Sequence, residues 1–79
     1  MILTLYSKPG CHLCEELRDL LEELQPEHGF TFEEIDITTN HELFARYRFD
    51  IPVLLKGGIE MARGRITDRE LIEMLRPGA

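Results

Sequence analysis

The chain has 79 residues, nine Lys/Arg against fifteen Asp/Glu, a formal charge of −6 and two cysteines, with 43% of its residues apolar. That length predicts one small domain, residues 1–79, and the apolar share argues against intrinsic disorder. The acidic balance argues against nucleic-acid binding, and no run approaches the roughly 20 apolar residues of a membrane span.

The opening stretch MILTLYSK has neither a basic segment nor a long apolar run, so no signal peptide is expected and the cytoplasm is the expected location. Ile2 to Tyr6 reads as a strand, apolar almost throughout and therefore suited to the middle of a sheet. Ser7-Lys8-Pro9-Gly10 is a turn. A helix follows to about Leu24, with Leu13, Leu17, Leu20, Leu21 and Leu24 on one stripe, and Gln25-Pro26 is expected to end it. Its outer face collects Glu15, Glu16, Asp19, Glu22, Glu23 and Glu27, so residues 1–40 hold nine acidic side chains against two basic ones. The plain reading of that run is a solvated helix face.

Phe30 to Asp36 is a second strand, interrupted by Glu33 and Glu34. Thr39-Asn40-His41-Glu42 fits a capping box with Thr39 as the N-cap of a short helix to about Tyr47. A third strand surrounds Val53-Leu54-Leu55 after Ile51-Pro52. Lys56-Gly57-Gly58 is a tight hairpin turn, and Ile59 to Ala62 returns. Thr67-Asp68-Arg69-Glu70 opens a last helix through Leu71, Met74 and Leu75, with Pro77-Gly78 as its stop. The predicted order is β-α-β-α-β-β-α, an α/β fold with a four-stranded mixed sheet and helices on both faces. The long first helix allows a parallel crossover between strands one and two.

Both cysteines lie in one C-x-x-C, Cys11 and Cys14. So short a loop removes little unfolded-chain entropy, so the pair is a poor staple for the fold. Its place is more informative, because Cys11 falls where a strand hands over to a helix. The first amides of a helix have no acceptors within it, and with the helix dipole they favour a thiolate there. Cys14, three residues on, can reach Cys11 and attack a mixed disulfide formed on it. Zinc is disfavoured, since the two thiols and His12, His28 and His41 lack a ligand spacing. Covalent haem would need histidine where Glu15 stands. Two inert core cysteines are the competing plain reading. Lys8 could lower the Cys11 pKa or meet a substrate carboxylate, or serve only solubility. His12 could tune the thiolate or be an unengaged surface residue. The first strand shows no acid beneath the pair, so proton transfer would fall to Cys14, solvent or His12.

The stretch Tyr6-Ser7-Lys8-Pro9-Gly10-Cys11-His12-Leu13-Cys14 resembles the active-site segment of dithiol glutaredoxins, and the element order resembles their minimal thioredoxin fold. The resemblance implies Cys11 as nucleophile, Cys14 as resolving cysteine and Lys8 near a glutathione carboxylate. It also implies a cis bond at Ile51-Pro52, with the Ile51 backbone pairing to the cysteinyl part of glutathione. His12-Leu13 replace the family's Pro-Tyr, Asp50 replaces its threonine, and its Gly-Gly and aspartate grip is reduced to Gly64 and Asp68. Arg63 or Arg65 could meet a carboxylate instead. The expected function is a thiol–disulfide oxidoreductase acting on protein or glutathione-mixed disulfides. No cofactor is expected to be tightly bound and no metal is expected. Glutathione is the implied co-substrate, glutathione or a reductase the electron donor, and the chain a monomer without nucleic-acid or membrane partners. The alternatives are a non-enzymatic binding protein of the same fold and a carrier of a glutathione-ligated iron–sulfur cluster.

Overall fold

Alternation along the first strand organises the fold. The computed structural model describes residues 1–76. β1 (Ile2–Ser7) buries Leu3, Leu5 and Ser7 toward one face of the sheet and turns Thr4 and Tyr6 toward the other. It pairs in parallel with β2 (Thr31–Asp36), reached through α1 (His12–His28), and antiparallel with β3 (Val53–Lys56). β3 in turn pairs antiparallel with β4 (Ile59–Arg63), giving the sheet order β2-β1-β3-β4. The nearly continuous apolar strands, β1 and β3, are the two central ones, as strands covered on both faces should be.

The two faces carry separate cores. Leu17 and Leu21 of α1 and Leu71 and Leu75 of the third helix, α3 (Asp68–Met74, with Leu75 at its cap), pack on Leu3, Leu5, Phe30 and Leu54. On the other face α2 (His41–Tyr47) sets Tyr47 against Val53, Leu55 and Ile37, with Tyr6 and Ile51 alongside. The Tyr6 and Tyr47 rings lie 5.0 Å apart. The β3–β4 turn needs positive φ at both Gly57 (59°) and Gly58 (81°), the backbone pattern of a tight two-residue hairpin.

Two expectations need correction. α1 does not stop at Gln25-Pro26 but runs to His28, with Pro26 inside it. Proline there falls in the last turn, where a lost amide bond breaks little of the ladder. The helix closes instead at Gly29, whose amide donates to the Gln25 carbonyl at 2.9 Å. The N-cap of α2 is Asn40, not Thr39: its Oδ1 accepts from the amides of Glu42 (3.0 Å) and Leu43 (3.1 Å). Thr39 is drawn into a short 3-10 turn, Ile37–Thr39, and donates its hydroxyl to the Asp36 carbonyl. The cap at Thr67 stands as expected, accepting from the Glu70 amide at 3.1 Å. Pro77-Gly78, expected to stop α3, lies outside the described residues. Among the described residues no helix is long and apolar enough to cross a membrane.

Candidate functional site

The site grows from the handover between β1 and α1. Gly10 turns the chain with φ of 76°, a conformation that costs a side-chain-bearing residue but not glycine. Cys11 follows as the N-cap of α1 with extended backbone. Its Sγ accepts from the Cys14 amide at 3.2 Å, so one of the orphan donors of the helix start points at that sulfur. The two cysteines form a disulfide. They differ in access: Cys14 is 1% exposed, whereas Cys11 lies partly open.

A polar cleft of about 330 Å³ adjoins Cys14, lined by Ser7, Lys8, Gly10, Glu15, Arg18, Glu34 and Asp36. Lys8 is therefore on the same cleft as Cys14. Ser7, 4% exposed, donates its hydroxyl to Glu34 Oε2 at 2.7 Å, and Arg18 Nη1 approaches Glu34 Oε1 at 3.4 Å. Reading β1 alone for an acid overlooked Glu34. It lies on β2 in parallel register with Leu5, and so faces α1 as Leu5 does. The available signal was the polar interruption of β2 combined with the parallel pairing. A larger groove of about 390 Å³ runs along α1 past Leu13, Leu20 and Arg65, but neither sulfur lines it.

Ile51–Pro52 is a cis peptide, with Pro52 buried and Ile51 packed on the α2 face. The Gly64 amide donates to the Pro52 carbonyl at 2.7 Å, tying the end of β4 to this segment. Arg63, a candidate for a substrate carboxylate, already bridges two carboxylates. Its Nη1 stands 3.1 Å from Asp50 and its Nε donates to Glu60 at 2.8 Å. The Glu60 hydrogen bond first, then the charges of Glu60 and Asp50, raise its pKa above the already high arginine value. His12 projects outward, 93% exposed, with Nδ1 3.7 Å from Glu15. Among the described residues no three His, Cys, Asp or Glu side chains gather as a metal site.

Residues 2–76 match the family described as Glutaredoxin-like domain (DUF836). The chain belongs to the glutaredoxin-like family. A glutaredoxin-like protein of Dictyostelium discoideum is 37% identical over 54 residues, 61% of this chain and half the length of that protein. The protein XcR50 from X. campestris superposes with a TM-score of 0.75 at 30% identity, covering 92% of this chain and 93% of that one. The glutaredoxin-like NrdH-redoxin from Escherichia coli shares the fold over the full length of both chains, with a TM-score of 0.68 at 24% identity. In this glutaredoxin-like domain the C-x-x-C pair, Cys11 and Cys14, is joined as a disulfide at the start of α1.

Proposed function

We propose that the protein is a thiol–disulfide oxidoreductase that reduces protein and glutathione-mixed disulfides, with Cys11 as nucleophile and Cys14 as resolving cysteine. One observation carries the assignment of roles: the Cys14 amide aims at the accessible Cys11 sulfur while Cys14 itself is buried. A charge-assisted hydrogen bond from that amide, together with the helix dipole, stabilises a thiolate at Cys11.

The Cys11 thiolate attacks a substrate disulfide, forming a Cys11–substrate disulfide and expelling one substrate sulfur as thiolate. Cys14 loses its proton and attacks Cys11, which forms the Cys11–Cys14 disulfide and releases the second substrate sulfur. Two electrons have then passed from the protein to the substrate. Two molecules of glutathione, or a reductase dithiol, return them. Lys8 and the backbone of Ile51 beside Pro52 receive the glutathionyl part, Lys8 through its charge and Ile51 through main-chain pairing. His12, exposed beside Cys11, adds a positive charge near the thiolate when protonated. The cytoplasm, with its reduced glutathione pool, is the compartment that keeps such a pair turning over.

Equilibration of the wild type in glutathione buffers, with thiol trapping, tests this reading. A reversible Cys11–Cys14 couple is expected, with Cys14→Ser accumulating a mixed disulfide on Cys11 and Cys11→Ser losing turnover altogether. A pair that never opens or closes across the glutathione range, or a Cys11→Ser variant that still turns over, would overturn it.

A further inference from the structure

Dithiol exchange needs the two sulfurs to ionise in order. Cys11 must be a thiolate first, and Cys14 must hold its proton until the mixed disulfide exists. The helix start accounts for Cys11 alone. Cys14 is 1% exposed, and its open side is the polar cleft.

The charged groups on that cleft come from three elements: Lys8 from the turn after β1, Glu15 and Arg18 from α1, and Glu34 and Asp36 from β2. Two of the three carboxylates are engaged elsewhere. Asp36 Oδ1 accepts from the Thr38 amide at 2.9 Å and the Thr38 hydroxyl at 2.6 Å, and Glu15 faces His12. Glu34 is held by groups of the cleft itself. Buried Ser7 draws one of its oxygens inward at 2.7 Å, and Arg18 closes on it from the more exposed side.

We infer that Glu34 is the charge that keeps Cys14 a thiol while Cys11 is a thiolate, and so sets the order in which the sulfurs act. Glu34 and Cys14 line one cleft, and a carboxylate across a cleft from a buried thiol disfavours its ionised form, the more so where the sulfur is poorly solvated. Lys8 and Arg18 oppose it, and Arg18 is directed at Glu34. In the resolving step the Cys14 S–H bond and the Cys11–substrate S–S bond break, and the Cys11–Cys14 bond forms. The Cys14 proton passes to solvent in the cleft, and the departing thiolate takes one up from solvent. Glu34 is a positioning residue in this sense, acting on the protonation of Cys14 without bonding to it. The inference rests on the dithiol reading above.

The test uses Cys11→Ser, in which Cys14 is the single thiol, and follows its thiolate absorbance and alkylation rate against pH. Adding Glu34→Gln is expected to lower the Cys14 midpoint by roughly one pH unit, a common size for the loss of one nearby charge. Adding Arg18→Gln uncovers Glu34 and is expected to raise it. Glu33→Gln, on the strand's other face in register with Thr4, is expected to leave it in place. In a parallel Cys14→Ser series, Glu34→Gln is expected to move the Cys11 midpoint less. An unchanged or raised Cys14 midpoint in Glu34→Gln would overturn the inference, as would an equal fall in Glu33→Gln or at Cys11. Arg18→Gln reads the opposite sign and so tests the idea even where Glu34→Gln folds poorly. These titrations need no turnover, so a failure of the dithiol reading, seen in wild-type glutathione equilibria, stays separate.

Discussion

Arg63 stands 3.1 Å from Asp50, the residue that leads into Ile51-Pro52, and the amide just past β4, that of Gly64, donates to the Pro52 carbonyl. Charge beside the cis-proline segment is thereby balanced within the protein. Removing the arginine exposes the carboxylates of Asp50 and Glu60, so Arg63→Ala should discriminate against anionic substrates. The expected result is a KM several-fold higher for a glutathionylated peptide and little changed for a basic peptide disulfide. Because the Arg63 pKa is raised, its contribution holds at every pH below the ordinary arginine value and is lost only as pH rises through the raised one. The discrimination should therefore be the same at pH 6 and pH 9. Equal KM changes for both substrates would sink the idea.

Much of this arrangement was legible in the residues. The first strand and its central place, the Gly57-Gly58 turn and the cysteine at a helix start each follow from local composition and stereochemistry, and each appears where expected. What escaped was set by pairing between distant segments. Glu34 meets Ser7 and Arg18 only because β2 lies parallel to β1 in the register Leu5 to Glu34. Arg63 meets Asp50 only because β4 folds back beside β3, with an irregularity between Leu54 and Leu55 that shifts the pairing by one residue. Neither contact has a signature in sequence spacing.

The N-cap of α2 was misread for a local reason. Thr39 and Asn40 are both good caps, and the 3-10 turn before them decides which is used. Asn40→Ala should cost about 1 kcal/mol of unfolding free energy, since two amides lose their acceptor. Thr39→Ala removes only a hydroxyl donated to Asp36 and should cost less. Urea midpoints of the two variants decide the matter, and the reverse order would assign the cap to Thr39 after all.

Leu21 is fully buried where α1 meets β1 and β3. Truncating it removes apolar contacts and leaves a cavity that a small domain can close only in part. Leu21→Ala should lose about 2–5 kcal/mol, against a total of about 5–15 kcal/mol for a typical domain. Ile59, 67% exposed at the start of β4, is the control. Ile59→Ala should stay within about 0.5 kcal/mol of wild type. Comparable urea midpoints for the two variants would show that the α1 face is not the principal core.

Gly10 links backbone geometry to the reactivity of Cys11 directly. A Cβ added there meets nothing within 4 Å, so any penalty comes from the backbone, whose φ is 76°. An L-residue in that left-handed region costs roughly 1–2 kcal/mol, and asparagine tolerates it better than alanine. Gly10→Ala should therefore be less stable than wild type by about that amount, with Gly10→Asn in between. Any relief of the strain rotates the turn that presents Cys11 to the Cys14 amide, weakening the hydrogen bond that favours the thiolate. Alkylation of Cys11 in the reduced protein at neutral pH should slow in the same order, slowest for Gly10→Ala. An alanine variant as stable and as reactive as wild type would mean that the turn adapts without disturbing the helix start.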